Sequence, residues 1–278
     1  MKLGILLAGK RPEDMAKRLE QAREAGFSIC QLNFMQTGFT RTDLLSVADS
    51  LLEYGIRPAA VGCYINPLRP DDTFMGVNRA DLELILHSLD IIGARKIVLW
   101  SGTNAPTVYE DHPSNAGEDS VHLLRSFVTD IVRTTRARHY FLVIEGFKYH
   151  VLRDEQSVAS FHQSLAADVA ERVRYVLDAP NFMTPERYEN KNVAAERICR
   201  TVGPLAGVVH LKDCIMPPDG DECLAAPGQG TLDYPSYISA IMENTPRDAP
   251  AIVKNVPSPE YGAARDHLLQ LSERWELT

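Results

Sequence analysis

Four late apolar runs each end in a residue able to do chemistry: Glu145 behind "FLVI", Asp178 behind "RYVL", His210 behind "GVV" and Lys254 behind "AIV". Two carboxylates and an imidazole are suitable ligands for a hard-to-borderline divalent metal. Taken singly, each could be a satisfied polar group at a strand end. Three metal-compatible residues at matching depth on consecutive runs are harder to explain that way and read as one site. Lys254 departs from the set, because an ammonium carries charge but no lone pair.

Other residues near these positions have a functional and a structural reading side by side. His150, five residues beyond Glu145 in "EGFKYHVL", is the best spare base, or else a surface histidine in a loop. Asn181, three after Asp178, could bind a substrate oxygen or cap a helix starting near Thr184. Asn66 in "GCYINPL" has a structural reading as a turn residue before Pro67, and Trp100 could stack on a flat ligand face or pack in the core. Gly228-Gln229-Gly230 lacks the rest of any phosphate-binding fingerprint.

These residues need elements that bring them together. Short apolar runs at 2–8, 27–34, 57–65, 96–102, 140–147, 173–182, 206–214 and 249–256 alternate with segments whose apolar residues lie three and four apart, such as "PEDMAKRLEQAREAG". Continuous apolar strands joined by helical crossovers mean a parallel sheet covered by helices. Eight such units with no second composition regime predict an α/β fold, a single-domain (β/α)8 TIM barrel spanning 1–278. The longest irregular insertions, 103–119 and 215–233, follow the fourth and seventh runs. In such a barrel both lie on the face that carries active sites.

Composition narrows the function. With 37 acidic and 29 basic side chains the formal charge is −8, which repels polyphosphate and predicts no nucleic-acid partner. Five scattered cysteines (Cys30, Cys63, Cys199, Cys214, Cys223) without a CxxC pair predict neither a disulfide framework nor a zinc ribbon, and fit a reducing cytoplasm. The start "MKLGILLAGKRPED" is too short in apolar residues for a signal segment or a membrane span.

The order "VIEGF", "VLDAPNF", "VVHLKD", "APGQGTLDYPSYISAI" resembles the sugar phosphate isomerase/epimerase family of xylose-isomerase-like barrels, with tagatose 3-epimerase and inosose dehydratase among its members. The resemblance covers essentially the whole chain. It implies one divalent metal (Mn, Zn, Co or Mg) held by Glu145, Asp178 and His210, with a glutamate as fourth ligand and second acid–base group where this chain has Lys254. It further implies that Lys212, in "HLKD", reaches a substrate oxygen, that Asn66, Trp100 and Asn181 line the substrate site, and that the protein forms a dimer or tetramer. Endonuclease IV, a DNA-repair enzyme on a similar barrel, is the weaker match: Asn33-Phe34 and Cys63-Tyr64 stand where it needs further histidines.

The implied chemistry is metal-assisted proton abstraction beside a carbonyl, through an enediolate, as a sugar or keto-sugar isomerase or epimerase. Glu145, His150 and Lys254 are its catalytic candidates. The alternative within the fold is a lyase that cleaves 3-oxo-glycosides or dehydrates a keto-polyol, with His150 as base. A third reading is a non-catalytic barrel binding a sugar acid, with Lys254 replacing the metal. At Lys254 two outcomes stand: a metal site weakened by the ammonium, which is favoured, or none at all, with the lysine as an internal cation.

Overall fold

The structure, a computed structural model, describes residues 1–135, 140–217 and 224–277. Cys223 and the middle of the insertion after the seventh run therefore lie outside the described residues. Eight strands close into one parallel barrel in chain order: β1 (Leu3–Gly9), β2 (Ile29–Phe34), β3 (Arg57–Gly62), β4 (Lys96–Trp100), β5 (Phe141–Glu145), β6 (Val173–Leu177), β7 (Ala206–Leu211) and β8 (Ala251–Val253). The helices outside are α1 (Pro12–Glu24), α2 (Arg41–Tyr54), α3 (Arg79–Leu86), α4 (Leu89–Ile92), α5 (Glu118–Thr134) and α6 (Glu155–Gln163). The second half adds α7 (Ala167–Ala170), α8 (Pro185–Tyr188), α9 (Lys191–Val202), α10 (Tyr234–Asn244) and α11 (Tyr261–Leu271).

Local chemistry sets these elements. In α2, Thr40 accepts the Asp43 N–H while the Asp43 carboxylate accepts the Thr40 N–H at 2.7 Å, and Gly55 in the left-handed region ends the helix. Its buried Leu44, Val47 and Leu51 recur at helical spacing and face the sheet layer. No helix among the described residues is long and apolar enough to cross a membrane.

The alternation of strand side chains divides the apolar residues between two cores. The larger lies between barrel and helices. The smaller fills the barrel with compact, mostly branched side chains, Ala60, Val98, Val143, Val176, Val208 and Ile252. Two residues further along each strand, the same inward face carries Trp100, Glu145, Asp178, His210 and Lys254. One layer of apolar packing thus becomes the floor of a polar layer.

Strand 8 is shorter than its apolar run suggests. Lys254 lies one residue beyond it, with its N–H bonded to the Leu211 carbonyl at 2.9 Å, and Asn255 turns the chain away at φ 58°. At the other end of the barrel the carboxyl-terminal segment joins the sheet. The Leu3 N–H donates to the Glu276 carbonyl and the Glu276 N–H to the Met1 carbonyl, with Trp275 buried beside them.

Candidate active site

The polar layer at the carboxyl ends of the strands is a closed cage of charge. Glu145, Asp178, His210 and Lys212 are all at most 2 % exposed, and donor atoms of Glu145, Asp178 and His210 lie within 4.8 Å of one another. Lys254 is the most open member, its side chain 16 % exposed. Its Nζ stands 3.1 Å from Glu145 Oε1, 3.3 Å from His210 Nδ1 and 3.5 Å from Asp178 Oδ2. Lys212 Nζ lies 3.4 Å from Asp178 Oδ2 and donates to Asn181 Oδ1 at 2.5 Å.

Glu145 is the hub. Its Oε2 accepts from the Tyr64 hydroxyl at 2.7 Å, and its Oε1 accepts from Asn181 Nδ2 at 2.9 Å as well as from Lys254. Burial alone would raise the Glu145 carboxyl, but the adjacent Lys254 and His210 outweigh it and hold the group well below the usual carboxylate range. Burial opposes the charged form of Asp178 too, and Lys212 and Lys254 override it, so that carboxyl is also lowered. Lys254 is the mirror case: burial would lower it, and Glu145 and Asp178 raise it. Lys212 is lowered by burial, only partly offset by Asp178. Neither oxygen of Asp178 has a hydrogen bond of good geometry, so this carboxylate is held by charge alone.

Residues not singled out in the sequence set the orientation. Gln31 Oε1 lies 3.0 Å from His210 Nε2, while Gln31 Nε2 donates to Asn33 Oδ1 and to the Tyr64 hydroxyl. The amide oxygen can only accept, so His210 Nε2 carries a proton and the ring is fixed with Nδ1 facing the cage. The signal was present in "ICQLNF": two polar residues two apart in a buried strand share one face, and here that face is inward. Gly62 makes room for them, since a Cβ there would lie 2.1 Å from Asn33 Oδ1.

His150 is fully buried, which replaces the surface-loop reading. Its ring packs edge-on against Trp100 and Phe147, with centroids 4.9 and 5.5 Å away. Neither ring nitrogen has a well-formed hydrogen bond. Burial pushes it down to about 4, against a weak opposing pull from the Val108 carbonyl and Glu145, so it is a neutral base at neutral pH.

The remaining candidates have structural partners. Asn66 donates to the Thr103 carbonyl at 2.7 Å and accepts from the Leu68 and Thr103 N–H groups, which ties the loop after β3 to the loop after β4. Trp100 is 9 % exposed, packs on Tyr64 and points Nε1–H at Met75 Sδ. Asn181 spans Glu145, the Gly146 carbonyl and Lys212, and the helix α8 is capped by Thr184 itself, so the capping reading of Asn181 is corrected. The Thr184 hydroxyl is the nearer acceptor for that helix.

By donor chemistry Glu145, Asp178 and His210 could hold a divalent ion. As the chain stands they do not fit one, because the Lys254 ammonium occupies the point on which the three donors converge. An open groove of about 560 Å³ does exist at the amino-terminal end of the barrel, lined by Lys96, Phe141, Arg174 and Asp248 among others, but the converging acid–base groups are at the opposite end.

Residues 19–269 match the family model described as xylose isomerase-like TIM barrel. No protein of curated function matches the chain. Among solved structures, an L-ribulose 3-epimerase superposes with a TM-score of 0.71 at 14 % identity, covering 98 % of this chain and 95 % of that one. A D-psicose 3-epimerase with D-tagatose from Clostridium cellulolyticum H10 gives 0.69 at 15 % identity, covering 98 % and 99 %. The IOLI protein with a bound zinc atom gives 0.68 at 16 % identity, covering 98 % of each. At these identities the likeness shows the fold.

Proposed function

This chain belongs to the xylose isomerase-like TIM barrel family, and from that premise we propose that it is a carbohydrate enzyme, an isomerase or epimerase that moves a proton beside the carbonyl of a keto-sugar or related polyol. The observation that carries the reading is the buried cage of two carboxylates, two lysines and a histidine at the carboxyl end of the barrel, with a neutral histidine beside it. Solved epimerases of this fold supply the substrate class.

In this proposal His150 takes the proton from the carbon next to the carbonyl. The C–H electron pair forms the new double bond, and the carbonyl pair moves onto oxygen. The resulting enediolate oxyanion is stabilised by Lys212 and Lys254, whose ammonium groups are already fixed in a site of low dielectric. Return of the proton to the former carbonyl carbon, while the hydroxyl proton of the first carbon passes to the oxyanion and a carbonyl forms there, gives an isomer, and its delivery to the opposite face of the first carbon gives an epimer. Glu145, with its oxygens taken by Tyr64, Asn181 and Lys254, positions the cage.

A second reading has support in the same histidine. With one base and no second glutamate, abstraction beside a 3-oxo group can be followed by loss of a β-oxygen substituent. The oxyanion pair then restores the carbonyl, the enolate pair becomes a double bond to the β-carbon, the C–O bond breaks with its pair on the aglycone oxygen, which takes the proton held by His150, and the enzyme is a lyase. One experiment separates the readings: incubation in D2O with keto-hexoses and with 3-oxo-glycosides, followed by NMR. Deuterium entering beside the carbonyl without fragmentation supports the isomerase, release of aglycone supports the lyase, and neither event on any substrate overturns both in favour of a sugar-acid-binding barrel.

A further inference from the structure

The three atoms that would ligate an ion, Glu145 Oε1, Asp178 Oδ2 and His210 Nδ1, already converge on one atom, Lys254 Nζ, at 3.1, 3.5 and 3.3 Å. Such separations suit an ammonium among its acceptors and lie about 1 Å beyond metal–ligand bonds of roughly 2.0–2.3 Å. We infer that Lys254 is the resident cation of this centre, taking both the place and the charge role of a divalent ion, so that the centre works without metal. This rests on the reading of the cage as the reactive centre and deepens it.

Three features support the assignment. The first is charge: two buried carboxylates face two lysines, Lys254 and Lys212, and a dication added to that set would leave surplus positive charge in a site open to water only at the Lys254 edge. The second is backbone anchoring. The Lys254 N–H is bonded to the Leu211 carbonyl and the next residue turns in the left-handed region, so the side chain starts from a fixed point aimed inward. The third is the set of acceptors. Gln31 fixes the His210 ring through Nε2, which sets Nδ1 3.3 Å from the ammonium beside the two carboxylate oxygens.

The contact to Asp178 is the longest of the three, and neither Asp178 oxygen forms a good hydrogen bond. That Lys254 N–H is therefore the one a substrate oxygen takes. Because Lys254 is also the most open member of the cage, the substrate oxygen meets the cation at the exposed edge.

The test uses the full chain freed of any histidine tag, with Zn2+ and Mn2+ as probes. Elemental analysis of the native protein is expected to find well under one equivalent of any transition metal, and calorimetry weak Zn2+ binding. Lys254→Met, which keeps length and removes charge, should bind one equivalent of Zn2+ at least about a hundredfold more tightly, the scale set by removing a cation a few ångströms from a dication. Lys254→Arg keeps the charge and should remain metal-poor. One equivalent of metal in the native protein, or equal Zn2+ affinity in native and Lys254→Met chains, would overturn the inference. Should Lys254→Met fail to fold, the native melting temperature decides: indifference to chelator and Zn2+ supports the inference, and a rise with Zn2+ refutes it. None of these readouts needs turnover. Absence of solvent exchange on every keto-sugar would sink the isomerase reading while leaving a lysine-filled centre intact.

Discussion

At the scale of single residues, the site is a set of groups whose charges are fixed by their neighbours, and two substitutions probe it. Tyr64→Phe removes the hydroxyl that donates to Glu145 Oε2 at 2.7 Å and leaves a buried anion one partner short. Urea denaturation should show a loss of about 1.5–3 kcal/mol, the usual worth of a hydrogen bond to a charged group. His150→Asn should cut solvent exchange by about 10²-fold or more if the imidazole is the base. The same histidine makes stability depend on pH. Its folded value of about 4 lies below the ordinary 6.5, so between those limits the unfolded chain binds a proton that the folded chain does not. The stabilisation is complete above about pH 6.5 and is lost as pH falls toward 4, on the order of 3 kcal/mol at the acid end. Urea midpoints of the native and His150→Asn chains at pH 7 and 4.5 measure it: the native protein should lose more across that interval, and equal losses would show that burial of the imidazole contributes nothing.

At the scale of elements, inward alternation of the strands puts chemistry above packing, and small features at two strand ends keep it there. Asn255 adopts φ 58° just beyond β8, a conformation that asparagine and glycine tolerate and β-carbon sterics otherwise disfavour by about 1–2 kcal/mol. Asn255→Gly should therefore be near neutral, whereas Asn255→Ala should lower stability by about 1 kcal/mol and slow turnover by shifting Lys254. At the end of β3, Gly62→Ala would push a methyl into Asn33 and the Tyr64 ring, an overpacking that costs about 1–3 kcal/mol in a thermal or chemical melt. The eight strands were legible because each is a continuous apolar run, and Glu145, Asp178, His210 and Lys254 because each interrupts apolar sequence at the same depth. The expected strand over "AIVKNV" shortened to Ala251–Val253 because the ladder ends at the Lys254 N–H and Asn255 turns the chain away in the left-handed region. Gln31 was not legible because polarity within a buried strand has meaning only once its inward face is known, and the role of Tyr64, two residues beyond β3, was not legible because its hydroxyl meets Gln31 and Glu145 from other strands. Asn181 and Asn66 were legible as polar residues near the mouth, but their partners lie on other strands and loops, far away in sequence.

At the scale of the whole molecule, the barrel is closed by contacts between residues that are far apart along the chain. β1 pairs with the three-residue β8, and the segment around Glu276 pairs with the first residues of the chain. Contacts of such long range are entropically expensive to form, so the βα units between them can acquire local structure well before the ring shuts. The two tryptophans of the sequence sit at opposite ends of this ring: Trp100 by the cage, and Trp275 in the closing segment, both nearly buried. Each is thus an optical reporter of one end. A Trp100→Phe chain reports seam closure through Trp275, and a Trp275→Phe chain reports assembly of the mouth through Trp100. In stopped-flow refolding the Trp100 signal should rise before the Trp275 signal, with the seam as the slow step; superimposable traces would mean that mouth and seam form in a single concerted event.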